Sequence, residues 1–156
     1  MTSIFLGIGS NQEREQHIRS GLNMLHEKMG ALTLSSVYES EAVGFSGKPF
    51  YNLVVRVESS IGLGALAGLI KAVEDKNGRD RSGPKFSSRT LDIDVLLYGD
   101  CAGLYEGIEL PRPEILQYAH VLCPLAEVAG GRLRPGHSSR YYDLLLALEK
   151  SRPAIW

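Results

Sequence analysis

The stretch Arg89-Thr90-Leu91-Asp92-Ile93-Asp94-Val95-Leu96-Leu97 decides the fold. Apolar and acidic residues alternate along it, and an extended chain sends successive side chains to opposite faces. Residues 91–99 therefore read as a strand. Leu91, Ile93, Val95 and Leu97 share its apolar face, and Asp92 and Asp94 leave together from the other. Strand geometry places the two acids about 7 Å apart.

Upstream, residues 78–88 are a Gly/Pro/Ser-rich loop carrying Arg79, Arg81 and Lys85 against a single acid, Asp80. Before it, Leu66, Leu69, Ile70 and Val73 line one face of a helix over residues 63–76, which Asn77-Gly78 stops. Residues 32–40 and 52–59 are rich in β-branched and alternating apolar side chains and read as strands. The loop between them, residues 42–51, holds Gly44, Gly47 and Pro49 and is long enough to be functional. Ile18, Leu22, Leu25 and Met29 stripe a helix over residues 13–29 that ends at Gly30. Residues 3–9 open the chain as a strand running into the turn Gly9-Ser10-Asn11. Downstream, residues 108–110 read as a short strand, 114–128 as a helix broken at Pro124, and 141–150 as a helix. The order β, α, β, β, α, β with a helical tail is the split βαβ pattern. It predicts an α+β, ferredoxin-like fold with an antiparallel sheet and both helices on one face.

Composition sets the outer bounds. The 156 residues carry 17 Lys+Arg against 18 Asp+Glu, a net charge of −1, with 44% hydrophobic and 22% charged residues. These values suit a globular chain whose residues 1–156 form a single domain. Near-neutrality argues against general nucleic-acid binding, which usually brings a basic surplus. No apolar run approaches the roughly 18 residues of a membrane-spanning helix. Residues 1–9 lack the basic start and long apolar core of a secretory signal. Cys101 and Cys123 show neither CxxC spacing nor a neighbouring His pair, so neither a disulfide framework nor structural zinc is expected. The expectation is a soluble cytoplasmic protein with no membrane or nucleic-acid partner.

The chemistry begins with the paired acids. Two carboxylates held that close repel unless a proton or cation lies between them. Magnesium uses one or two carboxylates and completes its shell with water and substrate phosphates. Arg79, Arg81, Lys85 and Arg89 lie just upstream. Cations that attract phosphate beside acids that attract magnesium are what phosphoryl transfer from a nucleotide requires. Each feature alone also has a plain reading: acids on a solvated strand face, and a basic loop that meets water or RNA. Other residues carry less. His17 and His26 lie on different faces of the first helix and read as surface residues, His137 lies in a turn, and Cys123 beside Pro124 reads as packing. Gly7-x-Gly9 lacks the third glycine and the following acid of a dinucleotide fingerprint.

Residues 89–96 resemble the signature of the 6-hydroxymethyl-7,8-dihydropterin pyrophosphokinase family of folate synthesis. Gly9-Ser10-Asn11, Tyr38-Glu39-Ser40, Gly44, Phe50-Tyr51-Asn52, Glu74, Gly78-Arg79-Asp80-Arg81 and Pro124-Leu125-Ala126-Glu127 also resemble family elements, in the same order. The resemblance implies the same ferredoxin-like fold. It implies a reaction that moves the pyrophosphoryl group of ATP onto the pterin hydroxymethyl oxygen and releases AMP. It implies that Asp92 and Asp94 hold two magnesium ions, and that Arg79 and Arg89 engage the phosphates and stabilise the transferring group. Glu74, Arg81, Ile93 and Arg112 are the further nucleotide contacts it implies. Ser40, Val43, Gly44, Phe50, Asn52, Phe86 and His120 are the implied pterin contacts, with Asn52 at the ring edge and Phe86 closing over the site. The partners would be small molecules only, and the protein a monomer.

Four positions depart from the family pattern. Gly107 stands where a basic residue is usual, Arg112 for His, Tyr118 for Arg, and His120 for the Phe that stacks on the pterin. Arg112 can still bind a phosphate. Gly107, Tyr118 and His120 favour a second reading, a paralogue that acts on, or only binds, a different pterin. A third reading is a ferredoxin-like RNA-binding module using the basic loop. It requires exposed aromatics on the sheet, where the best strand presents acids instead.

Overall fold

The computed structural model describes residues 1–41, 47–78, 90–132, 134–135 and 140–151. In chain order these give β1 (Thr2–Ser10), α1 (Arg14–Met29), β2 (Thr33–Leu34), β3 (Tyr38–Ser40), β4 (Phe50–Ser59), α2 (Leu63–Lys76) and β5 (Asp92–Tyr98). A small hairpin, β6 (Gly103–Tyr105) with β7 (Ile108–Leu110), follows. A 3₁₀ turn (Pro113–Leu116), α3 (Ala119–Ala129) and α4 (Tyr141–Ser151) complete the order. The main sheet is antiparallel and runs β2–β4–β1–β5, with β3 also paired to β4. With β2 and β3 as two pieces of one edge strand, this is the ferredoxin-like order the sequence predicts. Among the described residues, no helix is long and apolar enough to cross a membrane.

Both faces of the sheet are buried. Ile4, Leu6, Ile8, Val55, Ile93 and Val95 pack with Leu25 of α1 and Leu66 and Val73 of α2. Phe5, Val54, Leu96 and Leu97 pack on the opposite face with Leu122 and Leu125 of α3 and Tyr141 of α4. The helical tail is thus the cover of the second face, as the unbroken run Ile4-Phe5-Leu6 demands of a strand buried on both sides.

Two bulges interrupt the pairing, one at each edge. In β5, Leu6 pairs with Val95 but Phe5 pairs with Leu97, so Leu96 is an extra residue. An inserted residue resets the two-residue alternation. Leu97 consequently lies in the second core with Leu96, and not on the face of Leu91, Ile93 and Val95 as the alternation predicts. At the other edge, Leu34 pairs with Val55 and Tyr38 with Asn52, so residues 35–37 face only two residues of β4. This bulge splits the strand expected over 32–40. Ser35 mends the ladder there: its amide donates to the Val54 carbonyl (2.9 Å) and its Oγ accepts from the Val54 amide (2.8 Å).

Other boundaries differ from the sequence reading. β1 continues through Ser10, and β4 begins at Phe50, which therefore belongs to the sheet and not to the loop. The helix expected over 114–128 is broken at Gln117–Tyr118, where Tyr118 is extended (φ −131°, ψ 128°). Pro124 lies buried inside α3. Its ring removes one backbone donor, and its burial in the second face offsets that loss. Gly107 (φ 81°) follows Glu106 (φ 47°) in the two-residue turn of the β6–β7 hairpin. Glycine suits that left-handed position, which gives this departure a structural reason.

Candidate active site

The sheet register lays the site out in rows on the α3 face. Asn52 of β4, Gly9 of β1 and Asp92 of β5 stand side by side, and Val54, Gly7 and Asp94 form the next row. Strands lie about 4.8 Å apart, so roughly 10 Å separates the Asn52 and Asp92 backbones across Gly9. A Cβ on Gly9 would come within 3.1 Å of Asn52 Oδ1 and 3.7 Å of Phe50 Cδ2. Its missing side chain keeps the floor low. Asn52 Nδ2 donates to Ser40 Oγ at 2.7 Å, which ties the amide to the edge strand. Ser40, Phe50 and Asn52 thus come together as the sequence reading requires.

Asp92 and Asp94 are half-buried on this face. Burial and the adjacent Asp92 carboxylate push the Asp94 carboxyl up to about 7, against the opposing pull of Arg112. Arg112 reaches Asp94 because of the β5 bulge. Its amide donates to the Leu96 carbonyl (3.0 Å) and its Nε to the Val95 carbonyl (3.2 Å), which leaves Nη2 3.7 Å from Asp94 Oδ1. Glu74, buried in the last turns of α2, accepts the Ile93 amide on Oε2 at 2.9 Å. It fixes the outer edge of β5 between the two acids.

Tyr118 and His120 stack with ring centroids 5.1 Å apart and planes 25° apart. Burial lowers the His120 pKa and so favours the neutral ring. Val43, Gly44, Arg79, Arg81, Phe86 and Arg89 lie outside the described residues. Of the histidines set aside in the sequence, His26 is exposed with Nδ1 2.9 Å from the Gly30 carbonyl, whereas His17 is half-buried with Nδ1 3.0 Å from Asn77 Oδ1. Among the described residues, no group of three or more His, Cys, Asp and Glu side chains converges as a metal site. The donor set at β5 is two carboxylates, which suits magnesium with phosphate and water completing its shell.

Sequence reasoning missed the floor glycines and the bulge. Signals for both exist: Gly7 and Gly9 are spaced as Asp92 and Asp94 are, and the run Val95-Leu96-Leu97 breaks the alternation. A ferredoxin-like sheet with paired acids beside an arginine, and an asparagine across a glycine floor, defines a small α+β domain of the nucleotide-dependent transferase class. Within that class, the chain belongs to the 7,8-dihydro-6-hydroxymethylpterin-pyrophosphokinase (HPPK) family, whose model matches residues 5–130. It is similar to the 2-amino-4-hydroxy-6-hydroxymethyldihydropteridine pyrophosphokinase of Porphyromonas gingivalis, 35% identical over 135 residues covering 83% of this chain and 92% of that one. The Bacillus subtilis enzyme of the same name is 30% identical over 128 residues, covering 80% and 76% of the two chains. A crystal structure of Plasmodium falciparum HPPK-DHPS superposes with a TM-score of 0.74 at 13% identity over 99% of this chain. That likeness concerns the fold, and this chain spans 45% of the longer protein. The activity that family membership carries is pyrophosphoryl transfer from ATP to hydroxymethyldihydropterin in folate synthesis.

Proposed function

We propose that the reaction runs on the β5 edge, where Asp92 and Asp94 would hold two magnesium ions, with the pterin over Gly9. The observation that carries this reading is the placement of two carboxylates, Asp92 and Asp94, side by side on one face of β5 opposite Gly9 and Gly7, with the Arg112 guanidinium 3.7 Å from Asp94. A pair in that state favours a bound cation or proton. Magnesium, when bound, supplies charge neutralisation at the phosphate oxygens.

The protein's own residues do the positioning. Asn52 and Ser40 meet the polar edge of the pterin and Phe50 and His120 offer ring faces, with Val43, Gly44 and Phe86 as the further pterin contacts that the family resemblance implies. Arg79, Arg81, Arg89 and Arg112 hold the phosphates and meet the charge that develops in transfer. Glu74 and Ile93 act by holding the acid-bearing strand beside the nucleotide. The hydroxymethyl oxygen bonds to the β-phosphorus and gives up its proton to solvent, the bond from that phosphorus to the bridging α,β-oxygen breaks, and AMP leaves with that oxygen. Positioning and fixed charge supply most of the acceleration in such transfers. The chain acts as one domain, 1–156, as a monomer in the cytoplasm, with small-molecule partners only. The Tyr118–His120 stack favours a second reading, in which the substrate is a different pterin.

The Asp94→Ala variant tests the assignment. It should lose turnover by several orders of magnitude, since a lost metal ligand removes chemistry and little packing. Its melting temperature should hold or rise, because removing one of two crowded acids relieves repulsion. Turnover within about tenfold of wild type at saturating magnesium would contradict the assignment.

A further inference from the structure

Two family-like motifs with residues that the reaction leaves without a role, Tyr38 of Tyr38-Glu39-Ser40 and Glu127 of Pro124-Leu125-Ala126-Glu127, meet in the structure. The Tyr38 hydroxyl donates to Glu127 Oε1, and the Ser36 amide donates to Glu127 Oε2 at 2.8 Å. One carboxylate of α3 therefore grips the edge strand twice. The Ser36 amide is available because residues 35–37 form the bulge between β2 and β3, which takes it out of the ladder. The two hydrogen bonds hold the Glu127 carboxylate below its usual range, and burial with the Glu127 charge raises the Tyr38 hydroxyl well above its own.

Both partners connect directly to the pterin side of the site. Tyr38 pairs with Asn52 in the sheet, and Ser40, two residues on, accepts from that asparagine. Glu127 lies seven residues after His120 in α3. Seven residues are two helical turns, so the two side chains share a face about 10 Å apart. The opposite end of the same segment is fastened at the β5 bulge through Arg112.

We propose that Glu127 is a positioning residue for the pterin: its grip on Ser36 and Tyr38 holds the α3 wall, with His120, in place against Ser40 and Asn52. The inference rests on the pyrophosphokinase reading above. It assigns Glu127 no contact with substrate, so its effect falls on pterin affinity and spares the chemical step.

The test measures binding of 6-hydroxymethyl-7,8-dihydropterin in the presence of magnesium and an unreactive ATP analogue, together with steady-state rates. Glu127→Ala should weaken pterin binding by about tenfold, the scale of losing a charge-assisted hydrogen bond. Glu127→Gln should fall between it and wild type, since the amide oxygen keeps one acceptor. Tyr38→Phe, which removes only a hydroxyl, should weaken pterin binding by roughly threefold, the low end for one hydrogen bond. In all three, affinity for the ATP analogue and kcat at saturating pterin should stay within about twofold of wild type. If Glu127→Ala fails to fold, Tyr38→Phe and Glu127→Gln decide the matter. Unchanged pterin affinity in the folded variants overturns the positioning role, as does an equal loss of pterin and ATP-analogue affinity, which marks general loosening. A wild-type protein that binds no pterin overturns the functional reading, and the positioning role with it.

Discussion

Asp94 holds its proton more tightly in the folded protein than a free aspartate does, because burial and Asp92 both disfavour its charge. A raised folded pKa contributes stability that is complete below the unfolded value near 3.8 and is lost as pH rises through about 7. Without magnesium, the protein should therefore melt at a lower temperature at pH 8 than at pH 6 on account of this pair. A bound cation removes the penalty. Magnesium should raise the melting temperature more at pH 8 than at pH 6, and Asp94→Ala should flatten the difference. Equal stabilisation at both pH values would show that magnesium binds elsewhere. His120 carries the opposite sign: burial depresses its pKa, so its ring stays neutral to lower pH than that of a free histidine.

At the scale of elements, the acid-bearing strand depends on what fixes its edges. Glu74 of α2 caps the Ile93 amide on the outer edge, and β1 pairs the inner one. Glu74→Ala leaves that amide without its acceptor, which costs about 1–3 kcal/mol for a buried donor. Glu74→Gln keeps the acceptor and should recover most of the loss. Urea unfolding would reveal it, and an Ala variant as stable as wild type would contradict the capping role. The same strand shows how far the sequence could be read. The alternation of residues 91–95 and the stripes of α1 and α2 repeat over several residues, so they placed four strands and two helices in the right order. Leu97 falls on the other face, because a one-residue bulge reverses the faces of a strand and leaves as its trace in the sequence the broken alternation at Val95-Leu96-Leu97. Pro124 misled for a related reason. A proline signals a break in isolation, yet here the break comes at Tyr118, and Pro124 lies buried within α3. The paired acids were legible because their spacing along a strand is their geometry, whereas Asn52 and Ser40 were named by the family resemblance alone. Glu127 and Arg112 act across the chain through bulges, which local periodicity does not encode.

Over the whole molecule, residues 110–129 cross the active-site face and are tied down at both edges of the sheet, by Arg112 at β5 and by Glu127 at the β2–β3 bulge. Between those ties lie Tyr118 and His120, stacked on one another. On the proposed reading the acid pair bears on which bond of ATP breaks, and the α3 wall on which ring accepts the group. The most direct measurement of the central claim is therefore the nucleotide product. Protein incubated with ATP, magnesium and 6-hydroxymethyl-7,8-dihydropterin should yield AMP and a pyrophosphorylated pterin in equal amounts, with no AMP formed when the pterin is left out. Release of ADP, or AMP formed at the same rate without pterin, would contradict the account.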